Sequence, residues 1–296
     1  MKCCLIIPVL VASLSLQAQK SDTLLRYFFG NFEPTSVTEG TYPGKVFPVN
    51  GAWEAIVSNK SGQVLMTGRY RDKSLRVRDG LFHFYYPTGR LQVKGTYASN
   101  RQTGNWLAWY ENGQLKDSVF YLDGNKLGPS IGWHANGRVM HEGFFFHGLP
   151  DSSWTWYYPN GNPSTREKYH LGKLRSLECF DSTGASTGGG CSLEVPPTIP
   201  GRYGGLQKYI VDSLYYPNAA MDKNIQGIVE VQFTITKAGK LTDIRFLNAP
   251  DKMLADEVTR VLESIPYWYP AILHNQVVDF TQNIKIPFFR PGSEVD

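Results

Sequence analysis

Glycines at 89, 113, 137 and 161 follow one another at steps of 24 residues, with Gly62 standing 27 residues before the first and Gly184 as a weaker sixth. Other residue types keep the same period. Eight residues beyond the first five glycines come Tyr70, Tyr97, Tyr121, Phe145 and Tyr169. Seven residues before come Phe82, Trp106, Ser130 and Trp154, and four before come Tyr85, Trp109, Trp133 and Tyr157. A period of this length marks a repeat architecture, in which one supersecondary unit is copied and each copy packs on its neighbours.

Each unit reads as an aromatic strand, a turn such as Asn112-Gly113 or Asn136-Gly137, a return strand and a Gly-containing loop. Asn-Gly between alternating strands predicts a two-residue type I′ turn, because both residues tolerate positive φ. A single hairpin is marginal in water, so the units must share an antiparallel sheet. Aromatic residues at 14%, beside 29 Gly and 18 Pro, favour such short strands and turns over long helices. Packing is the ordinary fate of the aromatic columns. The column Tyr85, Trp109, Trp133 and Tyr157 is also a candidate platform for a glycan or peptide, since both faces of strands such as "WTWYY" carry rings.

With 296 residues there is room for an array and one further domain. The opening "MKCCLIIPVLVASLSLQAQ" has one Lys, an apolar core and a small residue at Ala18, the pattern of a secretory signal peptide over 1–18. Retention of that segment would instead anchor the chain in the inner membrane. After cleavage only Cys179 and Cys191 remain, in a compartment where disulfides persist, and a bridge between them is expected. Residues 19–50 read as a lead-in, 51–187 as the hairpin array and 188–199 as a Gly/Pro linker.

From residue 200 to 290 the period is lost and a different pattern begins. Apolar Leu206, Tyr209, Ile210 and Leu214 have helical spacing, and Pro217 opens a second short helical segment. "GIVEVQFTIT", "KAGK" and "LTDIRFLN" form a strand, a turn and a return strand. Met253, Leu254, Val258, Val261, Leu262 and Ile265 share a helical face with Asp251 as its cap, and "VVDFTQNIKIPFF" is a last strand. The expected fold is mainly β plus α+β: an antiparallel β-hairpin array followed by a small α+β domain.

Two resemblances follow. "WYENGQL", "WHANGRVMHEGFFFHG" and "YYPNGN" resemble the bacterial variant of the MORN repeat, which implies a β-hairpin array for binding or scaffolding and no reaction. Gly204-Gly205, Tyr216-Pro217, "IQGIVEVQFTITKAGKLTDIRFL", "PYWYPA" and "NIKIPFF" resemble the C-terminal domain of TonB. That resemblance implies docking to outer-membrane transporters, or other envelope proteins, by addition of an extended peptide to a sheet edge. It directs attention to Tyr216, Pro217, Val278, Phe280, Ile284 and Ile286. Ser213, Leu214 and Tyr215 stand where the family pattern has Gln and Pro. The alternative expectation is a structural envelope protein whose array binds peptidoglycan or another glycan.

Other function classes find no support. The net charge of +4 is spread without a basic run, so nucleic acid is not an expected partner. The six His lack metal-ligand spacing and no nucleophile motif is present, so neither cofactor nor enzymatic activity is expected. His134 falls in a column otherwise held by Tyr86, Tyr110 and Tyr158, which assigns it a surface or packing role.

Overall fold

The computed structural model describes residues 23–28, 30–35, 40–188 and 191–289. The signal-peptide reading of 1–18, with Cys3 and Cys4, lies outside them. The chain forms two compact units, Met1–Gly128 and Pro129–Asp296. No helix among the described residues is long and apolar enough to cross a membrane.

In the first unit, β1 (Leu24–Phe28), β2 (Pro34–Thr35), β3 (Tyr42–Val49), β4 (Ala52–Ser58), β5 (Val64–Tyr70), β6 (Arg78–Tyr85), β7 (Leu91–Ala98), β8 (Arg101–Trp109) and β9 (Leu115–Leu122) form an antiparallel ladder. From β3 onward, neighbours in the sheet are neighbours in sequence; β1 sits between β2 and β3. The stretch read as a lead-in thus contributes three strands to the ladder. β10 (Asn125–Trp133) crosses the division between units. In the second unit β11 (Val139–Phe146), β12 (Leu149–Tyr157), β13 (Pro163–His170) and β14 (Lys173–Cys179) continue the pattern.

The turns depart from the sequence expectation. At Tyr110–Gln114 the Gly113 amide donates to the Tyr110 carbonyl and the Tyr110 amide donates to Gln114, and only Gly113, at φ 91, is left-handed. This is a type I turn closed by a glycine bulge, repeated at Gly62, Gly89, Gly137, Gly161 and Gly184. Asn112 keeps ordinary φ and uses its Oδ1 to accept the Gln114 amide at 3.0 Å. True type I′ pairs occupy the opposite ends of the strands: Asn50-Gly51, Ser99-Asn100, Asp123-Gly124, His147-Gly148 and Leu171-Gly172 all have positive φ at both residues.

The aromatic columns interlock. In the first unit Tyr70, Phe82, Tyr97, Trp106 and Tyr121 form an edge-to-face series with ring centroids 5.2, 5.0, 5.0 and 6.0 Å apart. A glycine opposite each large ring makes room for it. A Cβ on Gly68, Gly95 or Gly143 would lie 2.1, 2.1 or 2.0 Å from Phe82, Trp106 or Trp154. Neighbouring repeats are also tied across the turn: Tyr86 donates to the Trp109 carbonyl at 2.8 Å, Tyr158 to the Phe180 carbonyl at 3.0 Å, and His134 Nε2 sits 2.8 Å from the Tyr157 carbonyl. His134 therefore does the work of the tyrosines in its column, as its position implied.

The remainder holds β15 (Glu194–Val195), α1 (Leu206–Ser213), α2 (Asn218–Asp222), β16 (Gly227–Ile235), β17 (Leu241–Asn248), α3 (Lys252–Glu263), β18 (Ala271–Leu273), β19 (Gln276–Val278) and β20 (Phe280–Phe288). One sheet runs β17-β16-β20 and a smaller one β15-β18-β19. The segment read as linker is thereby built into a sheet at β15. Burial selects Val229, Val231, Phe233 and Ile235 of β16, while Ile228 is exposed. Those residues meet Leu254, Val258, Val261 and Leu262 of α3, whose first turn is capped by Asp251 accepting the Met253 amide at 2.8 Å.

Candidate functional site

A sheet edge carries unpaired main-chain donors and acceptors, so the two edges of β17-β16-β20 are the first places to look for docking. β17 pairs with β16 through two register shifts, and its Asp243 has φ 55. That edge is irregular. β20 pairs with β16 without interruption from Phe280 opposite Ile235 to Phe288 opposite Gly227, and among the described residues its other side has no partner strand.

Which groups of β20 face outward follows from one proline. The Asn248 side-chain amide donates to the Ile228 carbonyl at 2.9 Å, so Ile228 turns its main chain toward β17. Pro287, opposite Ile228, must therefore turn away from β16, which is the orientation a strand proline requires. By alternation Thr281, Asn283 and Lys285 present both N–H and C=O to the free edge, and Pro287 presents only its carbonyl. The side chains of Thr281, Asn283 and Lys285 are exposed, while Ile286 and Phe288 point into the core at 4% and 2% exposure.

Beside this edge lies an apolar groove of about 400 Å³ between α1 and β20, lined chiefly by Leu206, Ile210, Val211, Leu214, Ile284 and Pro287. Val211 is 69% exposed on its wall. On the opposite face Lys285 pairs with Glu230. An added strand would place alternate side chains in an apolar slot and over a charged surface.

The residues singled out from sequence fall into different roles. Phe280 and Ile284 lie on β20, half-buried on the helix side, and Ile286 on the same face is core. Val278 belongs to β19 and pairs with Ala271 in the other sheet. Tyr216 donates to the Ile225 carbonyl at 2.5 Å and meets Phe288 edge-on at 5.7 Å, so it braces the far end of β20 from within. Pro217 caps α2. Beside them the Tyr215 amide donates to Glu257 at 2.7 Å and Arg260 donates to the Ser213 carbonyl at 2.7 Å. Hydrogen bonds from Arg260 outweigh partial burial and hold the Glu257 carboxyl below its ordinary range. The segment that departs from the family pattern is thus pinned to α3.

Sequence reading passed over Asn283, Lys285 and the α1 wall. The signal that finds them is the parity set by Pro287. In the array, Tyr85, Trp109, Trp133 and Tyr157 are half-buried beside their turns, and Tyr157 donates to Glu142 at 2.6 Å. Cys179 and Cys191 are joined by a disulfide with Cα atoms 6.2 Å apart. No group of three or more metal-ligating side chains gathers among the described residues.

Comparison with known proteins agrees with this division. Residues 212–289 match the family described as Gram-negative bacterial TonB protein C-terminal. Residues 78–99, 102–123 and 150–170 match the MORN repeat variant. No curated protein matches the chain. A solved structure described as the GtfA/B complex bound to UDP and GlcNAc aligns at 16% identity and a TM-score of 0.21, over 38% of this chain and 25% of that one. The chain is built from MORN-variant repeats followed by a TonB C-terminal domain.

Proposed function

We propose that the chain is a non-enzymatic docking protein of the bacterial envelope. Its β20 edge takes up an extended segment of an outer-membrane transporter, or of another envelope protein, as an added strand, and the repeat array is the scaffold that carries this edge. The observation that supports the reading is the unbroken β20 edge with the apolar groove beside it. Main-chain bonds would supply affinity and the groove would select an apolar side chain. Calorimetric titration of the full chain with a panel of synthetic peptides from receptor N-termini tests it. Saturable binding is the expected result; no binding by any member would overturn the proposal.

A second reading is that the rings left half-exposed in the array, Trp109 and Trp133, bind cell-wall glycan. It requires Trp109→Ala and Trp133→Ala chains, still folded, to lose most of their retention on peptidoglycan. Unchanged retention removes it.

A further inference from the structure

The columns of the array break at its last rung. Ala108 and Gly132 are followed at the next step of 24 by Trp156, and Gly143 is followed by Glu167. Leu177, seven residues before Gly184 and so next after Trp154 in the large-ring column, stands opposite Glu167, and β14 offers no ring there to continue the stack. A large ring thus stands where the two preceding rungs carry Ala108 and Gly132, and a carboxylate where they carry Val119 and Gly143.

The tip of the β18–β19 hairpin fills that place. His274 and Asn275 form its two-residue turn with φ 47 and 60. The His274 ring lies on Trp156 with centroids 3.6 Å apart and planes 11° apart, and Trp156 in turn lies 4.5 Å from His141. His274 Nδ1 is 2.6 Å from Glu167 Oε1, whose side chain is 1% exposed. An ionised carboxylate only accepts, so Nδ1 carries the proton. Asn275 donates to the Phe180 carbonyl at 2.9 Å and accepts from the Tyr158 hydroxyl at 3.1 Å, and Gln276 donates to Ser164 Oγ at 2.8 Å. From behind, the His274 amide donates to the Leu193 carbonyl at 2.7 Å, two residues beyond the disulfide at Cys191.

We infer that the face formed by Trp156, Ser164 and Glu167 is a docking site for the hairpin tip of the same chain, which closes the array as another rung would and holds the C-terminal domain on its end. The hairpin leads through Asp279 into β20, so the edge proposed to receive a partner is anchored to the last rung by a structured tongue. The docking itself does not rest on that proposal.

Acid supplies an independent readout. Burial works to raise the Glu167 carboxyl, but the bonds from His274, Thr165 and Tyr169 outweigh it and hold the group below the ordinary range. Its folded value lies below its unfolded one, so its contribution is complete above the usual carboxylate range and drains away as pH falls through the folded value. The other titratable groups around the tip are Tyr169 on β13, His141 on β11, Tyr157 at the end of β12, Tyr158 just beyond it, and Glu194 on β15 opposite Leu273.

Segment-resolved hydrogen exchange on the full chain decides the matter, comparing wild type with His274→Ala and Glu167→Gln. In His274→Ala, residues 271–278 and 193–195 should exchange at least tenfold faster at neutral pH, with β12 and β16 unchanged. In wild type the same segments should loosen, after correction for intrinsic rates, between pH 6 and pH 3, and Glu167→Gln should blunt that response. Unchanged exchange in 271–278, or acceleration spread evenly over β12 and β16, would overturn the inference.

Discussion

Asn283→Pro is expected to weaken binding of a receptor-derived peptide by more than tenfold while leaving the chain folded. Residue 283 turns its N–H away from β16, so a ring there removes no ladder bond, and β20 already tolerates Pro287 in the same orientation. The cross-strand bond from Gln232 to the Asn283 side chain is lost, but it lies on the exposed face of the sheet. The incoming strand loses one donor and meets the ring where its own carbonyl would sit. A main-chain hydrogen bond contributes about 1 kcal/mol net and steric exclusion adds to it, which exceeds the roughly 1.4 kcal/mol that a tenfold change needs. Gln282→Pro is the contrasting control. Its N–H faces β16, so thermal unfolding should show a destabilised domain as well as lost binding.

The second large effect lies in the array. Gly143→Val places a Cβ 2.0 Å from the Trp154 ring, and because Gly143 is absent from the left-handed glycines, the penalty is steric. Overpacking of this kind costs on the order of 3 kcal/mol, seen as a fall in the midpoint of urea unfolding. The chain itself suggests the compensation: one repeat earlier Val119 and Ser130 occupy the two columns that Gly143 and Trp154 occupy here. In a Trp154→Ser background Gly143→Val should cost less than about 1 kcal/mol, so a double-mutant cycle should return a coupling above about 1.5 kcal/mol. Additive costs would mean that the glycine column does not exist to seat the large rings.

The period carried the array because each rung is local: an aromatic strand, a glycine at the turn and a partner 24 residues away are all visible in one dimension. The turn type was misread because Asn-Gly serves two turns equally well. Asn112 can adopt positive φ, yet here it stays right-handed and uses its side chain to cap the bulge. The type I′ pairs were harder to see because Ser99-Asn100, His147-Gly148 and Leu171-Gly172 share no fixed dipeptide. In the C-terminal domain, the α3 face and its Asp251 cap were legible from helical spacing. The docking edge was legible only as a stretch, and the stretch joined Val278 of one sheet to Phe280 of another, because hydropathy does not register a break at Asp279. Ile286 is apolar enough for either a pocket or a core, and only its 4% exposure assigns it to the core. The tongue left a trace in the broken columns at Trp156 and Glu167, but its other half lies more than 100 residues away in sequence.

Docking of an extended segment requires the β20 edge, and amide-resolved hydrogen exchange of the full chain, with and without a saturating receptor-derived peptide, examines that edge directly. The amides of Thr281, Asn283 and Lys285 are expected to be open in the free chain and protected in the complex, with Gln282 and Ile284 protected in both. Saturation of the peptide with those three amides still open would contradict it.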